Sequence, residues 1–415
     1  MKFFKLGFIP RLGWLGFGFI CVLGFQWALL RGAPDFNVFY ATWKMILNWQ
    51  GHLLYVNAPD RFLYAPGFAY LFSFLALLPQ KIALAIWTIA KIFCLALVVK
   101  VVARRLIPEA PSGIIALAVI VLARPVLVDI QYGQVNLFIV AAALWALMVH
   151  FDHKTDSKVR FLAWFLLGIA SVSKLITLPV LLVAVLTPSQ LSKKQRTFEV
   201  GGALCAIALL LILPLLFYSP ADWVFQHREW VENVQSRGMP LDSHNQSIAA
   251  MASRMLTTTP FRVIAWGPPP VVLGFDVFSL TTIKVFSLLW MLLLMGGVIV
   301  LIKKGPRSQT PFQRLCWVSL LLGVLICASH LIWKPYFVFG IPAVMTLMAY
   351  LWRQQNKRLS VIMVLFFIVV NFSTVDILGA KLGGWLESFA ILFWIHVVLM
   401  VLLFWVSNSK ELKEQ

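Results

Sequence analysis

Apolar stretches long enough to cross a hydrocarbon core of roughly 30 Å recur along the whole chain, at about 12–30, 82–103, 198–217 and 278–302 and on to 385–406. Only short charged links separate most of them. This spacing excludes a small soluble domain on an anchor, because lipid surrounds segments from both ends of the chain. The composition agrees: of 415 residues 61% are hydrophobic and 12% charged, with a mean hydropathy of +0.87, far above ordinary globular usage. We read an all-α polytopic membrane protein, a single transmembrane domain over 1–415.

The net charge of +19 raises the question of a nucleic-acid partner. The positions of the basic residues answer it. Twenty-one of the 35 fall in seven clusters between apolar runs: Lys2/Lys5/Arg11, Lys100/Arg104/Arg105, Lys154/Lys158/Arg160, Lys193/Lys194/Arg196, Lys303/Lys304/Arg307/Arg314, Arg353/Lys357/Arg358 and Lys410/Lys413. All seven share one side if the intervening spans pair up, as the positive-inside rule demands. The charge therefore reports topology and no nucleic acid is expected. Cys21, Cys94, Cys205, Cys316 and Cys327 sit inside apolar runs and read as small core residues. The N-terminus has a basic flank and an apolar run without a small-x-small cleavage site, which reads as a retained first span.

With the basic clusters cytoplasmic, both termini are cytoplasmic and the chain has about 11–13 membrane segments, in what reads as a bacterial inner (plasma) membrane. Residues 31–65 form the first extracytoplasmic loop, with an interfacial helix, and 219–276 the long one. The segment 64–79 is too short to cross and reads as re-entrant or a tilted half-span. Residues 112–128 run outward, "RPVLVDIQYGQVN" turns, and 135–150 return. The run 161–187, with Lys174 and Pro179 at its middle, reads as two short helices meeting near the outer face. Further spans follow at 312–328, 336–351 and 359–371. No internal repeat is visible.

Polar residues outside the basic clusters gather on the outer side of this topology. Asp35 leads them, followed by Phe36, Phe39, Tyr40, Trp43, Ile46 and Leu47 on one face of an interfacial helix. It has two readings, an N-cap that satisfies backbone N–H groups or a carboxylate able to take a proton from a hydroxyl. Arg124 and Asp129 are ionisable groups at the ends of apolar runs; Gln131, Gln134 and Asn136 surround Gly133 and suit either sugar hydroxyls or the capping of a helix at 135. Lys174 lies in an apolar segment and needs a partner, either a phosphate or an ion pair with Asp35 or Asp129. In the long loop, Ser219 and "DSHNQS" open two helices, and His244, Asn245 and Gln246 precede Arg254. His330, Trp333 and Lys334 in "SHLIWKPYF" form either a sugar platform or part of an aromatic belt. No acid pair, HxxxH, CxxC, Walker loop or GxGxxG stands at useful spacing, so no metal or nucleotide cofactor is expected.

Five stretches occur in order: "PDFNVFYATW…G.LLY", "YAPGFAYL" opening at Tyr64, "QYGQVNLFI", "SVSKLITLP" and "HNQSIAAMASRM". Together they resemble glycosyltransferase family 87 (the DUF2029 group), which is similar to the mycobacterial mannosyltransferases that elongate phosphatidylinositol mannosides. The resemblance covers roughly residues 30–340. It implies a GT-C helical bundle with an extracytoplasmic active site and a polyprenyl-phosphate sugar as co-substrate, often mannose and in some members arabinofuranose. It implies further an inverting, metal-free transfer to a lipid or glycan hydroxyl. The motif Asp after the first span matches Asp35 and would be the general base. Lys174, Arg124 and Arg254 are the candidates for the donor phosphate. Tyr64, Asp129, Gln131, Gln134, Asn136, His244, Asn245, Gln246, His330, Trp333 and Lys334 are the candidates for sugar and acceptor. Several relatives carry a His pair where this chain has Lys334-Pro335, a departure that bears on the acceptor. The alternative from another class is a transporter or flippase of a lipid-linked saccharide, which would place its ionisable groups at the membrane midplane.

Overall fold

The computed structural model describes residues 8–56, 62–306 and 310–409. Lys2, Lys5, Arg307, Lys410 and Lys413, named above as topological charges, lie outside the described residues. In chain order the helices are α1 (Ile9–Arg31), α2 (Pro34–Leu47), α3 (Pro66–Phe72), α4 (Gln80–Val101), α5 (Ser112–Val121), α6 (Ala123–Tyr132), α7 (Asn136–Phe151), α8 (Ser157–Ser173) and α9 (Val183–Leu186). There follow α10 (Lys193–Ile212), α11 (Pro220–Arg237), α12 (Ile248–Leu256), α13 (Leu280–Lys304), α14 (Pro311–Ala328), α15 (Ile341–Gln354), α16 (Lys357–Phe372), α17 (Val375–Ser388) and α18 (Ile391–Ser407). Among the described residues six helical stretches are long and apolar enough to cross a membrane, and up to eight if each of two bent pairs counts as one span. The chain is an integral membrane protein of the all-α class. Four further apolar helices among the described residues, Pro66–Leu77 one of them, are shorter.

Two expectations change. Residues 112–128 are not one straight helix and 124–132 is helical, not a turn: α5 and α6 are two helices bent by 74°. Pro125 explains the break, since it has no N–H for the Val121 carbonyl and disfavours helical geometry just before it. Asn371 fills the gap, its Nδ2 donating to Val121 O at 3.0 Å while its Oδ1 accepts from Arg124 N at 2.8 Å. Likewise, Arg160 is not a solvated topological charge; it is fully buried. Its Nη1 donates to Val149 O and to Glu199 Oε1, each at 2.8 Å, and its Nη2 to Asp152 O, so it closes the C-terminal end of α7. His150 Nδ1 meets the other Glu199 oxygen at 2.8 Å.

The chain divides into two compact units. One comprises Leu23–Ala96 and Asp129–Gly238. Here α8 and α10 approach through small residues: a Cβ on Gly202 would lie 2.3 Å from Phe161 O, and one on Gly168 2.7 Å from Ala206 Cβ. Such backbone proximity is how helices associate in lipid, where apolar burial drives little. α11 ties down the segment before α3, with Trp230 Nε1 on Leu63 O at 3.0 Å and Asn233 Nδ2 on Phe62 O at 2.9 Å.

The other unit comprises Met1–Val22, Leu97–Val128 and Met239–Gln415. α15 is its central helix, buried on nearly every side and packed on α5, α14 and α18. In the long loop the helix expected to open at "DSHNQS" forms as α12, whose N-cap Ser247 accepts from Ala250 N at 3.1 Å. α16 and α17 bend by 92°, and Gly379 with φ 74° interrupts α17.

Candidate functional site

α2 begins with Pro34, whose fixed φ suits the first helical position, and its N-cap is Ala33 with no side-chain bond. Asp35 is thus the second helical residue and caps nothing, contrary to the capping reading. Its carboxylate still lies where the helix dipole favours an anion. The expected apolar face forms: Phe36, Phe39, Trp43 and Ile46 are buried. Phe36 and Trp43 meet Trp87 of α4 at 6.2 and 5.8 Å between ring centroids. Phe39 meets Tyr64 and Phe68 edge-on at 5.0 and 5.4 Å. Tyr64 itself stacks on Phe68 at 4.7 Å, so its ring belongs to the aromatic layer that seats α2.

The amide-rich turn after α6 is set against this helix. Gly133 has φ 73°, a left-handed conformation that glycine adopts without cost, and a Cβ there would lie 2.5 Å from Phe36 Cβ. Trp87 Nε1 donates to Gly133 O at 2.9 Å. The turn therefore brings Gln134 into the surroundings of Asp35, where its side chain acts on the carboxylate and favours the charged form. Asn136 is the first residue of α7 and its side chain does not cap the helix. Its Nδ2 donates to Asp129 Oδ2 at 2.9 Å. Lys174 Nζ donates to Asn136 Oδ1 at 2.6 Å and to Gln134 Oε1 at 3.2 Å. Asp129 completes the set with Lys91, Nζ to Oδ1 at 2.7 Å, both fully buried.

Two carboxylates and two ammonium groups balance formally, joined by two amides. Asp129 has a lysine against its oxygen; Asp35 has an amide in its surroundings. Asp35 is half-buried, and its pKa is raised above 3.8 by burial first, with the Gln134 side chain and the Lys174 charge opposing, the Asp129 charge adding to the rise and Lys91 opposing it. A carboxylate made more basic in this way suits the abstraction of a proton from an alcohol. Gln131 remains half-buried on the last turn of α6.

The remaining candidates fall in the other unit. Arg124 pairs with Asp376. Arg254 is fully buried and donates from Nε to Ser388 O at 2.9 Å and from Nη1 to Asp242 O and Asn245 O at 3.0 Å each. Asn245 and Gln246 are fully buried and tie two loops together. Asn245 Nδ2 donates to His330 O at 3.1 Å and its Oδ1 accepts from Ile332 N at 3.1 Å; Gln246 Nε2 donates to Glu387 O at 2.9 Å. The last of these bonds reaches the backbone of Glu387, whose carboxylate has partners of its own. Lys334 Nζ pairs with one of its oxygens, and His244 Nε2 lies 3.7 Å from the other. Burial lowers the His244 pKa, with Glu387 opposing. The His330 side chain is exposed, and Trp333 is the residue before the turn carrying Lys334.

Lys91 and Glu387 are absent from the sequence-derived set. Both were detectable by the rule that drew attention to Lys174: each is a lone charge in an apolar stretch, "WTIAKIFC" and "GGWLESFAIL".

Fold and site thus define a membrane-embedded helical protein that buries a balanced acid–lysine–amide cluster beside an accessible carboxylate. The sequence model of glycosyltransferase family 87 matches residues 62–326, more than half of the chain, and the chain belongs to that family. It is a glycosyltransferase. The matched region holds Lys91, Asp129, Gln134, Asn136 and Lys174; Asp35 precedes it. No curated protein matches the chain.

Proposed function

We propose that the protein transfers a hexose, mannose as the first choice, from a polyprenyl-phosphate sugar to a hydroxyl of a lipid or glycan at the extracytoplasmic face, with inversion at the anomeric carbon. Asp35 is the general base. Its carboxylate takes the acceptor hydroxyl proton, the acceptor oxygen bonds to the anomeric carbon, and the bond from that carbon to the phosphate oxygen breaks. Polyprenyl phosphate leaves with the electron pair. The donor is already activated at its anomeric carbon and already in the membrane, so the protein has to supply alignment, a base and a protected site.

One observation carries this reading: Asp35 is a carboxylate at a helix N-terminus that caps nothing and has no ion-pair partner against it among the described residues, while Asp129, the other acid of the cluster, is paired with Lys91. The test uses purified protein in nanodiscs with radiolabelled polyprenyl-phosphate mannose and a lipid acceptor extract. Wild-type protein is expected to release polyprenyl phosphate and label the acceptor, and Asp35→Asn to do neither while still binding the donor. Wild-type turnover by Asp35→Asn sinks the assignment of the base. Movement of the donor between leaflets without release of polyprenyl phosphate sinks the transfer itself.

A further inference from the structure

An amide side chain has one donating and one accepting end, and its neighbours decide which end faces which way. A lysine ammonium only donates, so it demands the oxygen of any amide it meets. Lys174, at the junction of α8 and the 3-10 turn Leu175–Leu182, meets two: Gln134 Oε1 and Asn136 Oδ1. Both nitrogens are thereby turned toward acids. Asn136 Nδ2 donates to Asp129, and the Gln134 side chain, its oxygen taken by Lys174, acts on the nearby Asp35 carboxylate in the direction that favours its charge. One cation sets the direction of hydrogen bonding at two carboxylates. Asp129 has Lys91 as a second anchor, whereas at Asp35 the orientation of Gln134 decides whether the carboxylate meets a donor or a repelling oxygen.

We propose that Lys174 is a positioning residue for the reaction: by holding the oxygen of Gln134, it keeps that amide's nitrogen on the Asp35 carboxylate and so fixes the base in one orientation. The proposal rests on the reading of Asp35 as the base. It gives Lys174 a different task from holding the donor phosphate.

The charged groups that act on Asp35 are Lys174, Asp129 and Lys91. Titratable groups on the segments packed against α2 are engaged elsewhere: Tyr55 Oη donates to Tyr64 O at 2.6 Å, Tyr70 Oη to Gln226 Oε1 at 3.1 Å, and His52 faces the Tyr218 ring. On α2 itself, Tyr40 Oη donates to Leu78 O at 2.9 Å and Lys44 lies over the Tyr40 ring. The acid limb of the pH–rate profile therefore reports the small cluster.

The experiment measures kcat, the KM for polyprenyl-phosphate mannose and the acid limb of kcat against pH in full-length wild type, Lys174→Met, Lys174→Arg, Gln134→Glu and Asp35→Asn. Lys174→Met frees the Gln134 amide to turn and removes a cation. Its kcat should fall by roughly tenfold or more at neutral pH, its acid limb should move to higher pH, and its donor KM should stay within about twofold. Lys174→Arg, which also only donates, should return the limb toward wild type. Should Lys174→Met fail to fold, Gln134→Glu keeps the side-chain shape and the bond to Lys174, removes the donor to Asp35 and must move the limb upward. An unmoved limb in whichever of these two variants folds overturns the proposal. A raised donor KM with an unmoved limb makes Lys174 a phosphate ligand. If Asp35→Asn is inactive in either case, the positioning role alone has failed; if Asp35→Asn turns over, the base has failed and the positioning role with it.

Discussion

Gly133 and Phe36 touch backbone to side chain: a Cβ on Gly133 would lie 2.5 Å from Phe36 Cβ and 3.3 Å from its Cα. The contact joins the amide turn to the first turn of α2, one residue from Asp35 on one side and one residue from Gln134 on the other. Gly133→Ala is expected to separate them. The substitution meets two costs, a positive φ worth about 1–2 kcal/mol for a residue with a Cβ and an overlap that only backbone movement relieves. Shortening Phe36 to alanine would not help, because the atom in the way is its Cβ. The expected outcome is a lower melting temperature together with a kcat reduced by roughly 100-fold, since about an ångström of misplacement at the base has that effect. A Gly133→Ala protein with wild-type kcat would show that the turn does not position the base.

Burial holds the Asp35 pKa above its ordinary value of 3.8. The ionised form is therefore less favourable in the folded protein than in the unfolded chain. At pH values below 3.8 both states are neutral and the group costs nothing; the cost grows as pH rises through the folded pKa and is fully present above it. Asp35→Asn removes a destabilising ionisation, so at neutral pH the inactive variant should melt at or above the wild-type temperature. The gap should narrow as the pH is lowered. Thermal unfolding in detergent over a pH series checks the sign, and a variant that melts well below wild type at neutral pH would give Asp35 a stabilising structural role.

Lys91 and Asp129 form a fully buried ion pair. Removing one partner leaves a charge without compensation, which costs about 3–5 kcal/mol, whereas removing both can be nearly neutral. Lys91→Met should thus destabilise strongly and Lys91→Met/Asp129→Leu much less. With Asp129→Leu measured as well, a double-variant loss equal to the sum of the two single losses, read from melting temperatures, would mean that the pair is not coupled. The double variant also deletes the acceptor of Asn136 Nδ2, so its activity should remain low even where its stability returns.

The long apolar helices were legible because their signal is composition over many residues: α13 and α14 start and end within two residues of the runs read from sequence. The α5–α6 bend was not, although Pro125 stood in plain view, because a proline in an apolar run is compatible with a kinked span as well as a broken one. What decides is Asn371, some 250 residues away, which takes over the freed carbonyl. At the site, helical spacing showed the buried face of α2, and the amides around Gly133 were identified as a group. Their connections were not: whether Asn136 caps a helix or bridges Lys174 to Asp129 depends on a contact between segments about 40 residues apart. Asn245 and Gln246 look like ligand-binding groups in sequence, and only their carbonyl partners show that they build loops.

Glu387 is the acid that these loops surround, on the last turn of α17, with Lys334 on one oxygen and His244 near the other. Glu387→Gln leaves Lys334, which is only 17% exposed, beside a neutral amide. The unpaired ammonium should cost about 1–3 kcal/mol, less than at Lys91 because water reaches it. His244 responds separately. Burial already lowers its pKa, and Glu387 is the first of the groups that oppose the fall, so the variant should keep His244 neutral to a still lower pH. Nitrogen-15 spectra of histidine-labelled protein, with His244→Gln to assign the resonance, give the titration directly. A downward shift in Glu387→Gln with a lowered melting temperature is expected. An unshifted His244 would mean that the carboxylate does not act on the imidazole across 3.7 Å, and that Lys334 alone accounts for the burial of this acid.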